Sequence, residues 1–323
     1  MSDLQVLSSQ VLLVDGRYHD YVLERSVIES AGGALIESGR HPVSEQEVLD
    51  LPGLADASVL LVELAPITAA VLEAAKSCVA VVRYGTGLDN VDLDAARLAG
   101  VAVESVPGYA AASVSEHALL LLLATARRLR ANTDRVSRGE WRPADLELRP
   151  MGLEGRVLGV FGMGAIGRAL AQRASAFGMK VLATDPNVAQ SAAGGVVEMV
   201  SDLQLLSESD YISLHLPLTP ETQGMVNADW LSTCKKGMTL INTARGGLID
   251  ESALLDAIDS GHIGFAALDV SIEEPLPLDH RFRQHPRVLF TPHIAFWSDQ
   301  AEHELRNSVA AMAASHVREV VLR

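Results

Sequence analysis

A chain of 323 residues is too long for one ordinary core and suits two of roughly 150 residues each. Hydrophobic residues make up 48% and aromatics only 4%, so both cores must rest on Leu, Val, Ile and Ala. A formal net charge of −15 repels phosphate backbones and anionic lipid, so it argues against nucleic acid and membrane as partners; an anionic small molecule would need a local positive focus.

Residues 1–10 lack the basic start and apolar run of a signal peptide. Runs rich in Val and Leu at 11–14, 59–62, 79–82, 157–161, 181–183, 211–214, 238–241 and 288–290 predict strands, several apolar throughout, as strands covered on both faces are. Helical stretches such as 68–75 and 251–258 alternate with them, and that order implies parallel sheets with right-handed crossovers. Ser113 is a candidate cap for a long helix starting at Val114. Its apolar run, 118–124, is far short of the ~20 residues of a membrane span and reads as a buried helix. Residues 138–151, rich in Arg, Pro and Gly, read as an exposed loop. The final helix, 298–322, has no strand of its own nearby, so it is expected to return to the first unit. Cys78 and Cys234 make no disulfide framework and no Cys-x-x-Cys pair; two reduced thiols fit a cytoplasmic protein. No metal site is expected.

Gly162-Met163-Gly164-Ala165-Ile166-Gly167 follows the apolar run 157–161 and opens a helical stretch, 168–177. Glycine pairs are common in turns, but this context is specific. Gly162 permits a tight turn, Gly164 lets the backbone approach a pyrophosphate, and Gly167 allows close helix–strand packing. The helix N-terminus offers N–H groups to phosphates. Asp185, after the next strand, can accept from a ribose diol and would repel a 2′-phosphate, which favours NAD over NADP.

Three residues follow strands, where open parallel sheets bind ligands. Arg245, in Asn242-Thr243-Ala244-Arg245-Gly246-Gly247, can grip a carboxylate bidentately. His293, in Thr291-Pro292-His293, suits general acid–base work near neutral pH. His215 is either cofactor lining or plain structure. Glu274, before Pro275, would by itself be an exposed acidic turn, and a carboxylate neighbouring His293 would favour its protonated form and fix its orientation.

The sequence resembles the D-2-hydroxyacid dehydrogenase family over nearly its whole length. The likeness is carried by residues 83–92, 114–118, 162–167, 215–222, 242–250, 268–275 and 291–295. It implies an α/β fold of two doubly wound domains, a Rossmann NAD-binding domain (107–293) inserted into a flavodoxin-like substrate domain (1–106 and 294–323). It implies hydride transfer between NAD and a 2-hydroxy acid, with Arg245, Glu274 and His293 as the catalytic set and a homodimer as the assembly. The backbone of Gly85, Thr86 and Gly87 would hold the substrate carboxylate. Thr86, Ala165, Ile166, Leu216, Pro217, Thr222, Thr243 and Ala244 would line the cofactor, and Asp269 would meet its carboxamide.

The segment Ala295-Phe296-Trp297-Ser298-Asp299-Gln300-Ala301 is similar to the C-terminal-binding-protein branch, corepressors that keep the fold and the catalytic set. Leu64-Ala65-Pro66 stands where many relatives carry Ser-Arg-Thr, which weakens a doubly anionic substrate. Tyr84, Phe296 and Trp297 would add apolar bulk, favouring a 2-oxo acid with an apolar or aromatic side chain. Two alternatives remain: an NADH-sensing, dimerising protein-binding module, or oxidation of another small anion such as phosphite. Formate-oxidising relatives replace the glutamate, so Glu274 speaks against that chemistry.

Overall fold

The computed structural model describes residues 9–141, 149–189 and 195–322, so half of the 138–151 loop and the first eight residues lie outside the description. The chain divides into two compact units, Met1–Tyr109 with Ser298–Arg323, and Ala110–Trp297.

The first unit runs β1 (Ser9–Leu13), α1 (Val22–Ser30), β2 (Gly33–Glu37), α2 (Glu45–Leu49), β3 (Val59–Val62), α3 (Ala69–Ala74), β4 (Ala80–Arg83), α4 (Leu93–Ala99) and β5 (Ala102–Glu104). The five strands are parallel in the order β2-β1-β3-β4-β5. The direction of winding reverses between β1 and β3, so the loops after these strands border a crevice. Asp15, after β1, ties down the loop after β3: its carboxylate accepts from the N–H groups of Glu63 (2.7 Å), Leu64 (2.7 Å) and Ala65 (2.9 Å).

The second unit runs α5 (Ala111–Ala126), α6 (Leu129–Ser137), β6 (Val157–Phe161), α7 (Ala165–Ala176), β7 (Lys180–Thr184), β8 (Val197–Met199), α8 (Asp202–Glu208), β9 (Tyr211–Leu214), α9 (Ala228–Thr233), β10 (Met238–Asn242), α10 (Glu251–Asp259), β11 (Ile263–Leu268) and β12 (Val288–Phe290). Its seven strands are parallel in the order β12-β11-β10-β9-β6-β7-β8. One face packs on α8, α9 and α10 through Leu205, Leu231 and Leu254, the other on α5 and α7 through Leu122 and Leu170. Winding reverses between β6 and β9, which puts the glycine-rich turn after β6 at the switch point.

The final helix, α11 (Asp299–Val321), is capped by Ser298, whose hydroxyl accepts from Ala301 N–H (3.1 Å), and it packs on α1 of the first unit. Gly33 makes this fit possible, since a Cβ there would come within 3.0 Å of both Ile28 and Val317.

Three expectations are corrected. The long helix begins at Ala111, and its cap position, Ala110, makes no side-chain cap bond. Ser113 lies inside it because the two preceding alanines are the best helix formers available. The run 118–124 is not buried all round: Leu121 and Leu122 are, but Leu120 is 53% exposed. The second break between units falls after Trp297, not after His293, because the Ile294 and Ala295 N–H groups are bound to Asp269 of the second unit. No helix among the described residues is long and apolar enough to cross a membrane.

Candidate active site

The turn after β6 is shaped by what its glycines approach. Gly162 has φ +93°, and a Cβ there would come within 2.5 Å of the His215 carbonyl oxygen. At Gly167 a Cβ would meet the Gly162 carbonyl oxygen at 2.0 Å, so α7 lies close against its strand. Gly164 faces open space. Ala165 and Ile166 begin α7, where N–H groups have no partner within the helix. Asp185 closes β7 and accepts from Met163 N–H (2.8 Å) and Asn187 N–H (2.8 Å), which fixes its carboxylate and leaves lone pairs for a diol.

Two buried polar atoms nearby have no protein partner, His215 Nδ1 after β9 and Thr243 Oγ1 after β10. Burial pushes the His215 imidazole down to about 4, so the ring is neutral. Its Nε2 lies 2.9 Å from Ser213 Oγ. Leu216 packs against the core, and the Thr222 hydroxyl is committed to the Pro217 carbonyl (2.7 Å), closing the turn 217–222. An open glycine cradle, a helix N-terminus, a held carboxylate and two orphaned polar atoms suit a dinucleotide.

Arg245, Glu274 and His293 all belong to this unit. Asn242 builds the Arg245 turn by donating to the Arg245 carbonyl (2.8 Å) and accepting from Ala244 N–H (2.9 Å). Gly246 then passes against the Ser271–Ile272 peptide, where a Cβ would come within 2.0 Å of the Ser271 carbonyl carbon. That contact brings the arginine segment against the one bearing Glu274. Arg245 donates to the Ala244 carbonyl (2.8 Å).

Glu274 Oε2 lies 2.6 Å from His293 Nδ1, and its Oε1 accepts from Ser271 N–H (3.1 Å). Burial pushes the Glu274 carboxyl up. The His293 bond and charge, the Ser271 N–H and the nearby Arg245 charge outweigh burial and hold it below the ordinary glutamate value. A carboxylate only accepts, so Nδ1 carries a proton and Nε2 is the atom that gains or loses the second one.

His293 sits at φ +51°, a left-handed conformation uncommon for a non-glycine residue. Buried Asp269 holds it there. Its carbonyl accepts from His293 N–H (2.8 Å), and its carboxylate accepts from Ile294 N–H (3.0 Å), Ala295 N–H (2.8 Å) and the Thr291 hydroxyl (2.5 Å). Three of about four acceptor positions are thus taken. His117 Nε2 meets the same Thr291 hydroxyl at 3.0 Å. The sequence reading gave His117 no role; only its place in the motif 114–118 marked it. Phe296 stands edge-on to His293, ring centres 6.0 Å apart, and Trp297 is 59% exposed.

In the first unit, Gly85 has φ +140°, and the Arg83 guanidinium lies over it, within 1.5 Å of where a Cβ would be. The Thr86 hydroxyl donates to the Val106 carbonyl (3.0 Å). The Thr86 and Gly87 N–H groups donate to no acceptor among the described residues, as an anion-holding loop requires. Tyr84 is corrected as a substrate contact: it is 2% exposed, packs on Tyr18 and directs its hydroxyl to buried Glu24 (3.3 Å). Side chains alternate across a strand end, and Tyr84 takes the face covered by α1 and α11.

Fold and turn together define a doubly wound protein with an NAD-binding unit. The chain belongs to the D-isomer specific 2-hydroxyacid dehydrogenase family, whose NAD binding domain model matches residues 119–295. It is 40% identical over 264 residues to D-3-phosphoglycerate dehydrogenase from Mycobacterium tuberculosis, covering 80% of this chain and 49% of that protein. The chain thus spans about half the length of the curated relatives it matches. Among solved structures, D-lactate dehydrogenase from Aquifex aeolicus, complexed with NAD and lactic acid, aligns with TM-score 0.86 at 28% identity, covering 96% of each chain. A glyoxylate reductase from Paecilomyes thermophila aligns with TM-score 0.87 at 28% identity, covering 97% of this chain and 96% of that one.

Proposed function

We propose that this chain is an NAD-dependent oxidoreductase that interconverts a D-2-hydroxy acid and its 2-oxo acid. The observation that carries this reading is the 2.6 Å Glu274–His293 bond, which orients a histidine with one ring nitrogen open while the Arg245 charge stands beside the same carboxylate. When bound, the nicotinamide supplies or accepts the hydride at the substrate C2. Arg245 holds the substrate carboxylate as a fork. His293 Nε2 gives its proton to the oxygen on C2 during reduction and takes it back during oxidation. Glu274 keeps the ring aligned and places a negative charge beside it in its doubly protonated form. The unpaired Thr86 and Gly87 amides are donors of the kind the family resemblance assigns to the substrate carboxylate. Gly162, Gly164, Ala165, Ile166 and Gly167 would hold the pyrophosphate, Asp185 the ribose, and His215, Thr243 and Asp269 the nicotinamide end.

The NAD preference over NADP rests on Asp185, whose charge opposes a 2′-phosphate. For the side chain we favour an apolar or aromatic group, supported by Phe296 beside His293 and by exposed Leu64 in place of an arginine. Phosphoglycerate is the second reading, favoured by relatives of that name at 40% identity. A homodimer is supported by the shallow groove on α5 and the end of α7, where Leu119, Leu120, Leu123 and Phe177 stand beside the Glu116–Arg173 ion pair, and a cytoplasmic home by two free thiols. The test is reduction of phenylpyruvate, 2-oxoisocaproate, glyoxylate, pyruvate and phosphohydroxypyruvate with NADH and with NADPH. Preference for the first two acids with NADH supports the reading. Equal or faster phosphohydroxypyruvate turnover replaces the substrate class, and tight NADH binding without turnover of any acid replaces catalysis by sensing.

A further inference from the structure

Outside the catalytic set, one carboxylate is bound at both oxygens to the segment that carries Glu274. Glu251 is the first residue of α10, but Asp250 already caps that helix by accepting from Ser252 N–H (3.1 Å) and Ala253 N–H (3.1 Å). The Glu251 side chain, 18% exposed, turns away from the helix instead. Its Oε1 accepts from Ile272 N–H (3.1 Å), and its Oε2 lies 3.1 Å from His280 Nε2. His280 Nδ1 accepts from Phe282 N–H (3.2 Å), so the neutral ring carries its proton on Nε2 and donates it to Glu251.

From Ile272 the chain of contacts reaches the catalytic pair within two residues. Ser271 N–H holds Glu274 Oε1 (3.1 Å), Ser271 Oγ donates to the Glu273 carbonyl (2.6 Å), and Glu274 Oε2 meets His293 (2.6 Å). Gly246, next to Arg245, packs directly on the Ser271–Ile272 peptide. A peptide pressed from one side by the arginine segment and bonded through its N–H by the helix that follows that segment has little freedom to slide. The β10–β11 pairing aligns the two segments as far as Asp269 N–H, which donates to the Asn242 carbonyl (2.9 Å); beyond it Gly246 supplies closeness but no bond, and Glu251 supplies the hydrogen bond to Ile272 N–H.

We propose that Glu251 is a positioning residue for Glu274, with His280 locking its rotamer. It sets the turn 271–274 in register with Arg245 and so fixes where His293 Nε2 points. This rests on the reading above that His293 moves the proton while Glu274 holds its ring. A small misplacement of a catalytic group costs up to ~100-fold in rate.

The test uses the full chain, NADH, and phenylpyruvate with glyoxylate as a second probe. Glu251→Ala is expected to lower kcat at least ~10-fold while leaving NADH affinity unchanged. Combined with Glu274→Gln it should add less than about twofold, because the two residues act through one group. Glu251→Gln keeps an acceptor for Ile272 N–H and should recover most of the loss. A purely structural role would instead give a multiplicative loss in the double variant. If Glu251→Ala does not fold, His280→Ala replaces it; it frees the Glu251 rotamer and should show the same non-additivity with Glu274→Gln. Wild-type kcat in Glu251→Ala or His280→Ala, or full additivity, overturns the proposal. Where neither probe is turned over, the best acid of the panel above takes their place; wild-type kcat in Glu274→Gln, or no turnover of any acid of that panel by the wild type, overturns the underlying reading and the proposal with it.

Discussion

His215 and His293 each follow a parallel strand, and their surroundings give them different chemistry. His215 is buried, its Nδ1 has no protein partner, and burial pushes its imidazole down to about 4. His293 is 41% exposed at its side chain and tied to a carboxylate. The sign for His215 follows from linkage. The unfolded chain takes up its proton as pH falls through about 6.5, while the native ring stays neutral until about 4. Stability from this residue is therefore full above about 6.5 and is lost progressively down to about 4, by up to roughly 3 kcal/mol. Urea midpoints between pH 7 and 4 should fall less steeply for His215→Gln than for the wild type; parallel curves would contradict the assignment. Residue types at strand ends single out Arg245, His215 and His293 in the sequence as candidates. Tyr84 was misread because its face depends on α1 and α11 covering one side of β4. His117 had no legible role because its partner, Thr291, lies 174 residues away.

At the scale of elements, the turn between β6 and α7 combines two glycines with different tasks. Gly164 borders open space, whereas a side chain at Gly167 would collide with the Gly162 carbonyl oxygen. Gly164→Val should leave the thermal midpoint within a degree or two and weaken NADH binding at least about tenfold, or ~1.4 kcal/mol. Gly167→Val should lower the midpoint itself. Fluorescence titration beside a thermal melt reads both, and equal effects on both quantities would contradict the division of roles. Strands that are apolar throughout, such as β3 and β6, were legible because burial on both faces demands that composition. β2 reads Gly33-Ala34-Leu35-Ile36-Glu37 and β8 Val197-Glu198-Met199; as edge strands they lack it. The early start of α5 was hidden because it uses no side-chain cap.

At the scale of the molecule, α11 was legible as a long helix with no strand after it, and its buried Leu305, Val309 and Val317 supply the apolar face that needs a home. The exact break was not legible, because it depends on Asp269 holding the backbone of Ile294 and Ala295. On the second unit, Leu120 and Phe177 are 53% and 46% exposed along one shallow groove. The proposed homodimer would cover these side chains. The wild type should sediment at twice the 34.4 kDa chain mass and the double variant Leu120→Asp, Phe177→Asp at the single mass. A wild type at the single mass would remove the homodimer.

The central claim is that His293 moves the proton in reduction of a 2-oxo acid, with Glu274 holding it in place. The most direct measurement is NADH oxidation by wild type and His293→Ala on the best acid of the panel, with NADH affinity measured for both. The account predicts a loss of at least ~100-fold in kcat with NADH affinity unchanged. A His293→Ala protein that retains near-wild-type turnover would contradict it.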